Sequence, residues 1–364
     1  MKLFTCTHCG QVLYFENNRC EKCGYSLGFE TRQLELLPLL AQADDTFCLF
    51  GAGPASATYR YCQNHADANC NWLVPTGSPT PFCTACALNR TIPDLGNTAY
   101  RLRWQALEAA KRRLVYTLLR MGLPVVSKVT DSENGLAFDF KADTGPNETD
   151  KVLTGHANGL ITINIAEADD IEREQARRAM AETYRTLLGH FRHEVGHYYW
   201  NLLIDNTPNL AEYRQIFGDE RQDYAAALQQ HYADGPRPDW PQHYISAYAS
   251  SHPWEDWAET WAHYLHILDT LQTAHAFGLA VNPEGAGDAQ LLRATISEEP
   301  YEQADFNRLM EQWLPLTFAM NSLNRSMGQP DSYPFIIRPE VVRKMAFIHQ
   351  VCRNAAAWRL SNPG

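Results

Sequence analysis

Two kinds of metal chemistry are written into the residue spacing of this chain. His193-Glu194-Val195-Gly196-His197 places two imidazoles four residues apart, one helical turn, with a carboxylate directly after the first. Both histidines can reach one cation, and Glu194 can act on a water held there, so zinc-dependent hydrolysis is the implied chemistry. Such a site usually takes three protein ligands, and the metzincin third ligand is missing, because Tyr198-Tyr199-Trp200-Asn201-Leu202-Leu203 has no glycine turn and no histidine. Downstream, Glu255 and Glu259 stand four apart in a tryptophan-rich run, so one carboxylate can ligate while the other orients a histidine. The alternative for Glu255 and Asp256 is to decorate a helix N-terminus. The second chemistry is at the front, where Cys6, Cys9, Cys20 and Cys23 form two knuckles with Gly10 and Gly24 just after each pair. Four thiolates close a tetrahedron and leave no water position, so this zinc is structural. Cys83 and Cys86 repeat the knuckle spacing, with Cys48, Cys62 and Cys70 upstream, and imply a second structural zinc.

The elements that must position these residues follow from periodicity. Ile171 to Asp205 reads as one long helix, with Met180, Tyr184, Leu187, Leu188, Phe191, Val195, Tyr198 and Leu202 recurring at spacings of three and four and Asp169 or Asp170 as cap. His190 shares the face of His193 and can act behind it or simply pack. His252-Pro253-Trp254 opens a second helix, and Leu107, Leu114, Leu118 and Met121 mark another between Tyr100 and Met121. Ala137–Phe140 and Leu160–Ile165 alternate as strands do. Residues 206–252 contain Pro208, Gly218, Gly235, Pro236, Pro238 and Pro241 and read as loops and short helices. The expected organisation is a zinc ribbon at 1–30, a second cysteine-rich zinc module at 31–95, and a large domain at 96–364. His8 is read as a bystander and Cys352 as a buried thiol in an apolar helix.

Composition narrows the function classes. The chain has 364 residues, 45% hydrophobic, with a formal net charge of −11. No run approaches the roughly 18 apolar residues of a membrane span. Residues 1–95 carry six Lys or Arg against eight Asp or Glu, which disfavours nucleic acid and leaves the ribbons as scaffold or protein-contact modules. Met1-Lys2-Leu3-Phe4 has no export-signal pattern, so a reducing, cytoplasmic setting is expected, with thiols on metal rather than in disulfides.

The helix pair resembles the gluzincins, the thermolysin-like zinc peptidases. Arg192-His193-Glu194-Val195-Gly196-His197-Tyr198-Tyr199-Trp200, Phe217-Gly218-Asp219-Glu220 and His252-Pro253-Trp254-Glu255-Asp256-Trp257-Ala258-Glu259 are similar to a bacterial family of zinc-binding metallopeptidases with an N-terminal zinc ribbon. The resemblance covers nearly the whole chain. It implies an α+β fold, in which a mainly helical gluzincin-like domain with a small antiparallel sheet follows the zinc-ribbon modules, and the sheet edge pairs with an extended peptide. It also implies Glu255 as third ligand and Glu259 as support for the first histidine. Tyr248, seven residues before Glu255, matches a position from which some gluzincins supply a phenol, with Tyr244 as competitor. Through Tyr61-Cys62-Gln63-Asn64, Cys70-Asn71-Trp72 and Phe82-Cys83-Thr84-Ala85-Cys86 it points to Cys62, Cys70, Cys83 and Cys86 as the second structural set, with Cys48 and His65 as substitutes. One catalytic and two structural zinc ions are therefore expected. Peptide-bond hydrolysis with Glu194 as general base is the leading reading. Hydrolysis of another amide, or a zinc-stabilised binding protein without catalysis, are the alternatives.

Overall fold

The computed structural model describes residues 2–53, 56–145, 147–179, 186–285 and 287–361. It divides into two compact units, residues 1–120 with 124–178, and residues 121–123 with 179–364.

The first unit begins with a hairpin, β1 (Phe4–Thr5) and β2 (Val12–Leu13). An antiparallel meander follows: β3 (Leu27–Glu30), β4 (Glu35–Ala41), β5 (Phe47–Leu49), β6 (Tyr59–Tyr61) and β7 (Leu73–Pro75), with helix α1 (His65–Ala68) between the last two. The meander curls until its ends meet, since Phe29 N donates to Asn71 O at 2.8 Å. Glycine is required at that approach, because a methyl on Gly28 would lie 2.4 Å from the Leu73 side chain. Next come β8 (Asn89–Thr91) and the long α2 (Thr98–Arg120), whose Tyr116 joins a buried cluster of Phe15, Phe29 and Trp72. Aromatic packing of this kind lets a small cysteine-rich region build a core.

A four-stranded sheet completes the unit: β9 (Ala137–Lys141), β10 (Gly155–Ala157) and β11 (Leu160–Asn164) with β8, in the order β10-β11-β9-β8. The sheet is mixed, whereas a wholly antiparallel one was expected. β10 and β11 are antiparallel, but β11 runs parallel to β9 and β9 parallel to β8. Ala137 through Phe140 are all buried, as strands covered on both faces are, and Asp139 among them is paired with Arg90 and with Lys141 at 2.9 Å. Helix α3 (Asp170–Ala179) follows, capped by Asp169, whose Oδ1 accepts from Ile171 N at 2.9 Å.

The second unit is helical. α4 (Leu187–Leu203) carries the paired histidines, then come the short α5 (Leu210–Ile216), α6 (Tyr224–Asp234) and α7 (Trp240–His243), and the long α8 (Pro253–Ala276). A small hairpin, β12 (Ala280–Val281) and β13 (Ala294–Thr295), precedes α9 (Phe306–Ser326) and α10 (Pro339–Ser361). The single helix expected over Ile171–Asp205 is not continuous. Thr186 is extended (φ −127°, ψ 156°), and its hydroxyl accepts from Gly189 N at 3.0 Å to start α4 afresh. Met180 and Tyr184 of the expected apolar stripe lie outside the described residues. The core is the seam between α4 and α8: Tyr199 stacks on Trp261 with centroids 5.0 Å apart, and Trp257 meets Tyr213, Phe217 and Phe347. Among the described residues no helix is long and apolar enough to cross a membrane.

Candidate metal and active site

Three groups of metal-type ligands occur among the described residues: Cys6, Cys9, Cys20 and Cys23; Cys62, Cys70, Cys83 and Cys86; and His193, His197 and Glu255. In each group the ligand atoms lie within 4.8 Å of one another. None of the ten cysteines is disulfide-bonded.

Local turns build the first thiol group. Gly10 and Gly24 have φ of +75° and +78°, and their N–H groups close the knuckles onto Cys6 O at 2.9 Å and Cys20 O at 2.8 Å. A side chain would be strained there, which is why glycine follows each cysteine pair. Cys6 and Cys23 sulfurs are 3.7 Å apart and those of Cys9 and Cys20 3.6 Å, spacings suited to four thiolates around one ion. His8 packs on Tyr25 and Phe50. In the second group Cys70 Sγ lies 3.7 Å from Cys83 and 3.8 Å from Cys86, and Cys83 N donates to Cys62 Sγ at 3.3 Å. His65 is turned away from this cluster, stacked on Tyr61 with Nδ1 against Cys70 O, and Cys48 is outside it on β5. Behind Cys86, a fully buried Glu108–Lys111 pair on α2 closes at 2.6 Å. Burial pushes the Arg112 guanidinium down, but Cys70, Glu108 and Cys86 outweigh it and keep the guanidinium charged, as a thiolate-rich neighbourhood demands.

The third group is tertiary. α4 supplies His193 and His197, with ring centroids 5.0 Å apart, and the first turn of α8 supplies Glu255. The two helices approach closely because residue 196 is glycine: a methyl there would lie 3.1 Å from Ala258 Cα and 3.2 Å from Trp261 Cδ1. Trp257 Nε1 locks the contact by donating to Gly196 O at 2.9 Å. Asp256 faces away, toward Lys344 of α10, with Nζ 2.7 Å from its carboxylate, so Glu255 is the acid turned to the histidines. Burial pushes Asp256 up to about 7 in spite of that lysine.

Glu259, one turn beyond Glu255, accepts from His193 Nδ1 at 2.8 Å, and Ser246 Oγ donates to its other oxygen at 2.7 Å. A proton on Nδ1 leaves the Nε2 lone pair facing Glu255, whose Oε2 is 3.1 Å away. That approach lacks hydrogen-bond geometry, and Oε2 is buried without any hydrogen-bond partner. Electron pairs converging in a buried site need a cation between them, and the His2Glu donor set suits zinc. Burial alone would lower the His193 pKa, but Glu255 and Glu259 outweigh burial and raise it, so a proton and a cation compete for Nε2. Burial raises the Glu194 pKa, yet His190, whose Nε2 is 3.2 Å away, and the imidazoles of His193 and His197 bring it below the usual carboxylate range. Glu194 is therefore ionised at neutral pH, buried, and close to both histidines.

The two tyrosines separate. The Tyr248 ring centroid is 6.1 Å from that of His193, and burial pushes its phenol far up, so it stays protonated. Tyr244 lies instead under Lys344 Nζ, 4.2 Å from the ring, with its hydroxyl by Arg237. A third phenol at the site was not anticipated: Tyr224, the first residue of α6, donates to Glu255 Oε1 at 2.7 Å. Trp254 also packs on His197, ring centroids 4.1 Å apart. Nothing in local spacing marks Tyr224, which is separated from its partner by a loop-rich stretch; only Asp223, its helix cap, carries a signal.

Two cysteine clusters in one unit and a two-histidine, one-glutamate cluster in a helical unit are donor sets of the kind that zinc-binding proteins use. The chain belongs to the family described as "Putative zinc-binding metallo-peptidase", which matches residues 100–351, and residues 3–97 match a zinc-ribbon domain. Uncharacterized proteins of Mycobacterium tuberculosis and Mycobacterium bovis are similar to it along almost their whole length, 42% identical over 357 residues, which is 98% of this chain and 96% of each relative. No solved structure matches the chain.

Proposed function

We propose that this chain is a zinc-dependent peptidase of the gluzincin type, with His193, His197 and Glu255 holding the metal, Glu194 as general base, and the two cysteine clusters holding structural zinc. The observation that carries the reading is the convergence of two imidazoles and a bond-free carboxylate oxygen beside an ionised, buried Glu194. Zinc bound there supplies Lewis acidity toward a water and a substrate carbonyl. Glu194 takes a proton from the attacking water and returns it to the leaving amine, a role supported by its ionised state and by His190 Nε2 at 3.2 Å, which fixes the carboxylate. Glu259 holds His193 in the tautomer whose Nε2 is free to ligate. Tyr248 keeps its phenolic proton and donates to the charge that grows on the carbonyl oxygen. The substrate is a peptide or protein, and the ribbons are contact or scaffold modules.

The test is cleavage of a diverse peptide library by the zinc-loaded chain, with Glu194→Gln as control. The amide is isosteric and cannot accept the proton, so turnover is expected to fall about 10²- to 10⁴-fold with zinc content unchanged. Cleavage retained by Glu194→Gln would remove the general-base role, and no cleavage by the wild type would remove the peptidase reading.

A further inference from the structure

We propose that Tyr224 is a positioning residue for the metal ligand Glu255, and that through this contact the order of helix α6 depends on metal occupancy. The inference rests on the reading that His193, His197 and Glu255 hold a metal ion, and it adds both a supporting residue and a form of regulation to that site.

The two oxygens of Glu255 have different surroundings. Oε1 accepts the Tyr224 hydroxyl at 2.7 Å, while Oε2 faces His193 Nε2 at 3.1 Å and takes no hydrogen bond. Oε2 is thus the oxygen left for a cation, and the phenol occupies the other. A carboxylate with one oxygen held by a donor binds as a one-oxygen ligand, and its orientation is set by that donor. Without the hydroxyl, Oε1 would be released at 3.6 Å from His197 Nε2, near enough to join the metal's coordination.

The same contact bears on α6. The helix has 11 residues and none of them is buried, and a helix this short is marginal in water unless tertiary contacts hold it. Its ring contacts run to the metal site: Tyr224 against Trp254 and His252, with centroids 5.8 Å and 5.3 Å apart, and His231 against Tyr248 at 6.0 Å. Trp254 in turn packs on His197, and Tyr248 lies beside His193. Two of these partners, Trp254 and Tyr248, thus rest directly on the ligand histidines. A metal that immobilises Glu255 and both histidines therefore stabilises the platform under α6, and its loss loosens that platform.

The experiment uses the full chain, wild type and Tyr224→Phe, loaded with zinc and separately with Co(II). Tyr224→Phe should weaken zinc at the histidine site about 10-fold, the lower end of the usual loss of an outer-shell partner. It should also reduce the intensity of the visible Co(II) bands, as the metal gains a second glutamate oxygen. Amide exchange over residues 224–234 should slow when zinc is added to the wild type, and slow less in Tyr224→Phe. Retention of both thiolate-bound zinc ions reports that the variant is folded, and Tyr244→Phe, at a phenol engaged by Lys344 and Arg237 instead of the site, is the comparator, expected to leave affinity and Co(II) spectrum unchanged. A wild-type affinity and spectrum in Tyr224→Phe, an equal effect of Tyr244→Phe, or α6 exchange indifferent to zinc would overturn the inference. If the wild type binds no metal that His193→Ala removes, the metallopeptidase reading itself fails, which is a separate outcome.

Discussion

The first cysteine cluster and the histidine cluster of the second unit hold metal-type ligands in opposite ways. Each Cys6–Cys9 and Cys20–Cys23 knuckle is a turn closed by its own glycine, so the ligand geometry is set within a few residues. His193, His197 and Glu255 come from two helices, and their relation depends on the glycine gap and tryptophan lock between α4 and α8. One arrangement is local and fills all four coordination positions; the other is tertiary and supplies three ligands. A site of the first kind is built to hold shape, and one of the second to leave a position for chemistry.

Metal removal gives the largest expected separation between them. Elemental analysis should find three zinc ions per chain. A chelator should take one of them first, abolishing peptide cleavage while far-UV circular dichroism loses no more than the signal of the 11-residue α6. The thiolate ions should leave later, with loss of structure in the first unit, because a four-thiolate zinc contributes about 10–16 kcal/mol to small domains. Simultaneous loss of metal, activity and helicity beyond that of α6 would break the comparison.

The next effect is confined to the open site. Tyr248→Phe removes one hydroxyl beside His193 and should lower kcat by about 10²-fold with zinc affinity intact, if that hydroxyl meets the oxyanion. An unchanged kcat would return Tyr248 to packing. Tyr244, which is occupied by Lys344 and Arg237, gives no substitute donor.

The contrast between local and tertiary sites also explains what could be read from the sequence. Knuckle spacing and the following glycines describe a turn, and the four-residue interval of His193 and His197 describes a helix face, so both are legible in short windows. The role of residue 196 is not, because a glycine inside a helical pattern looks like a weakness until α8 is seen against it. The single helix expected from Ile171 to Asp205 failed for a related reason: the apolar spacing continues through Thr186, and only the backbone turn there shows that its hydroxyl starts a new helix. Pairing direction in the small sheet was hidden as well. The segments Ala137–Phe140 and Leu160–Ile165 alternate in the same way whether their strands run parallel or antiparallel. Tyr224 reaches Glu255 only because the intervening loops fold back, and no periodicity records that.

The smallest effect tests the helix seam itself. Gly196→Ala adds one methyl between α4 and α8, 3.1 Å from Ala258 Cα, where the neighbour is backbone and yields little. Overpacking of a tight core contact costs about 1–3 kcal/mol. Alanine returns about 1 kcal/mol of helix propensity, so the net loss should be about 1 kcal/mol and the thermal midpoint should fall by a few degrees. Metal binding should respond more selectively than stability. A displaced α8 moves Glu255 and Glu259 away from His193, so the histidine site should bind zinc more weakly while the thiolate sites, which do not depend on this seam, keep both ions. Titration of zinc into chelator-treated Gly196→Ala, followed by ion count, separates the two. Equal weakening at all three sites would show that the seam is not what distinguishes them.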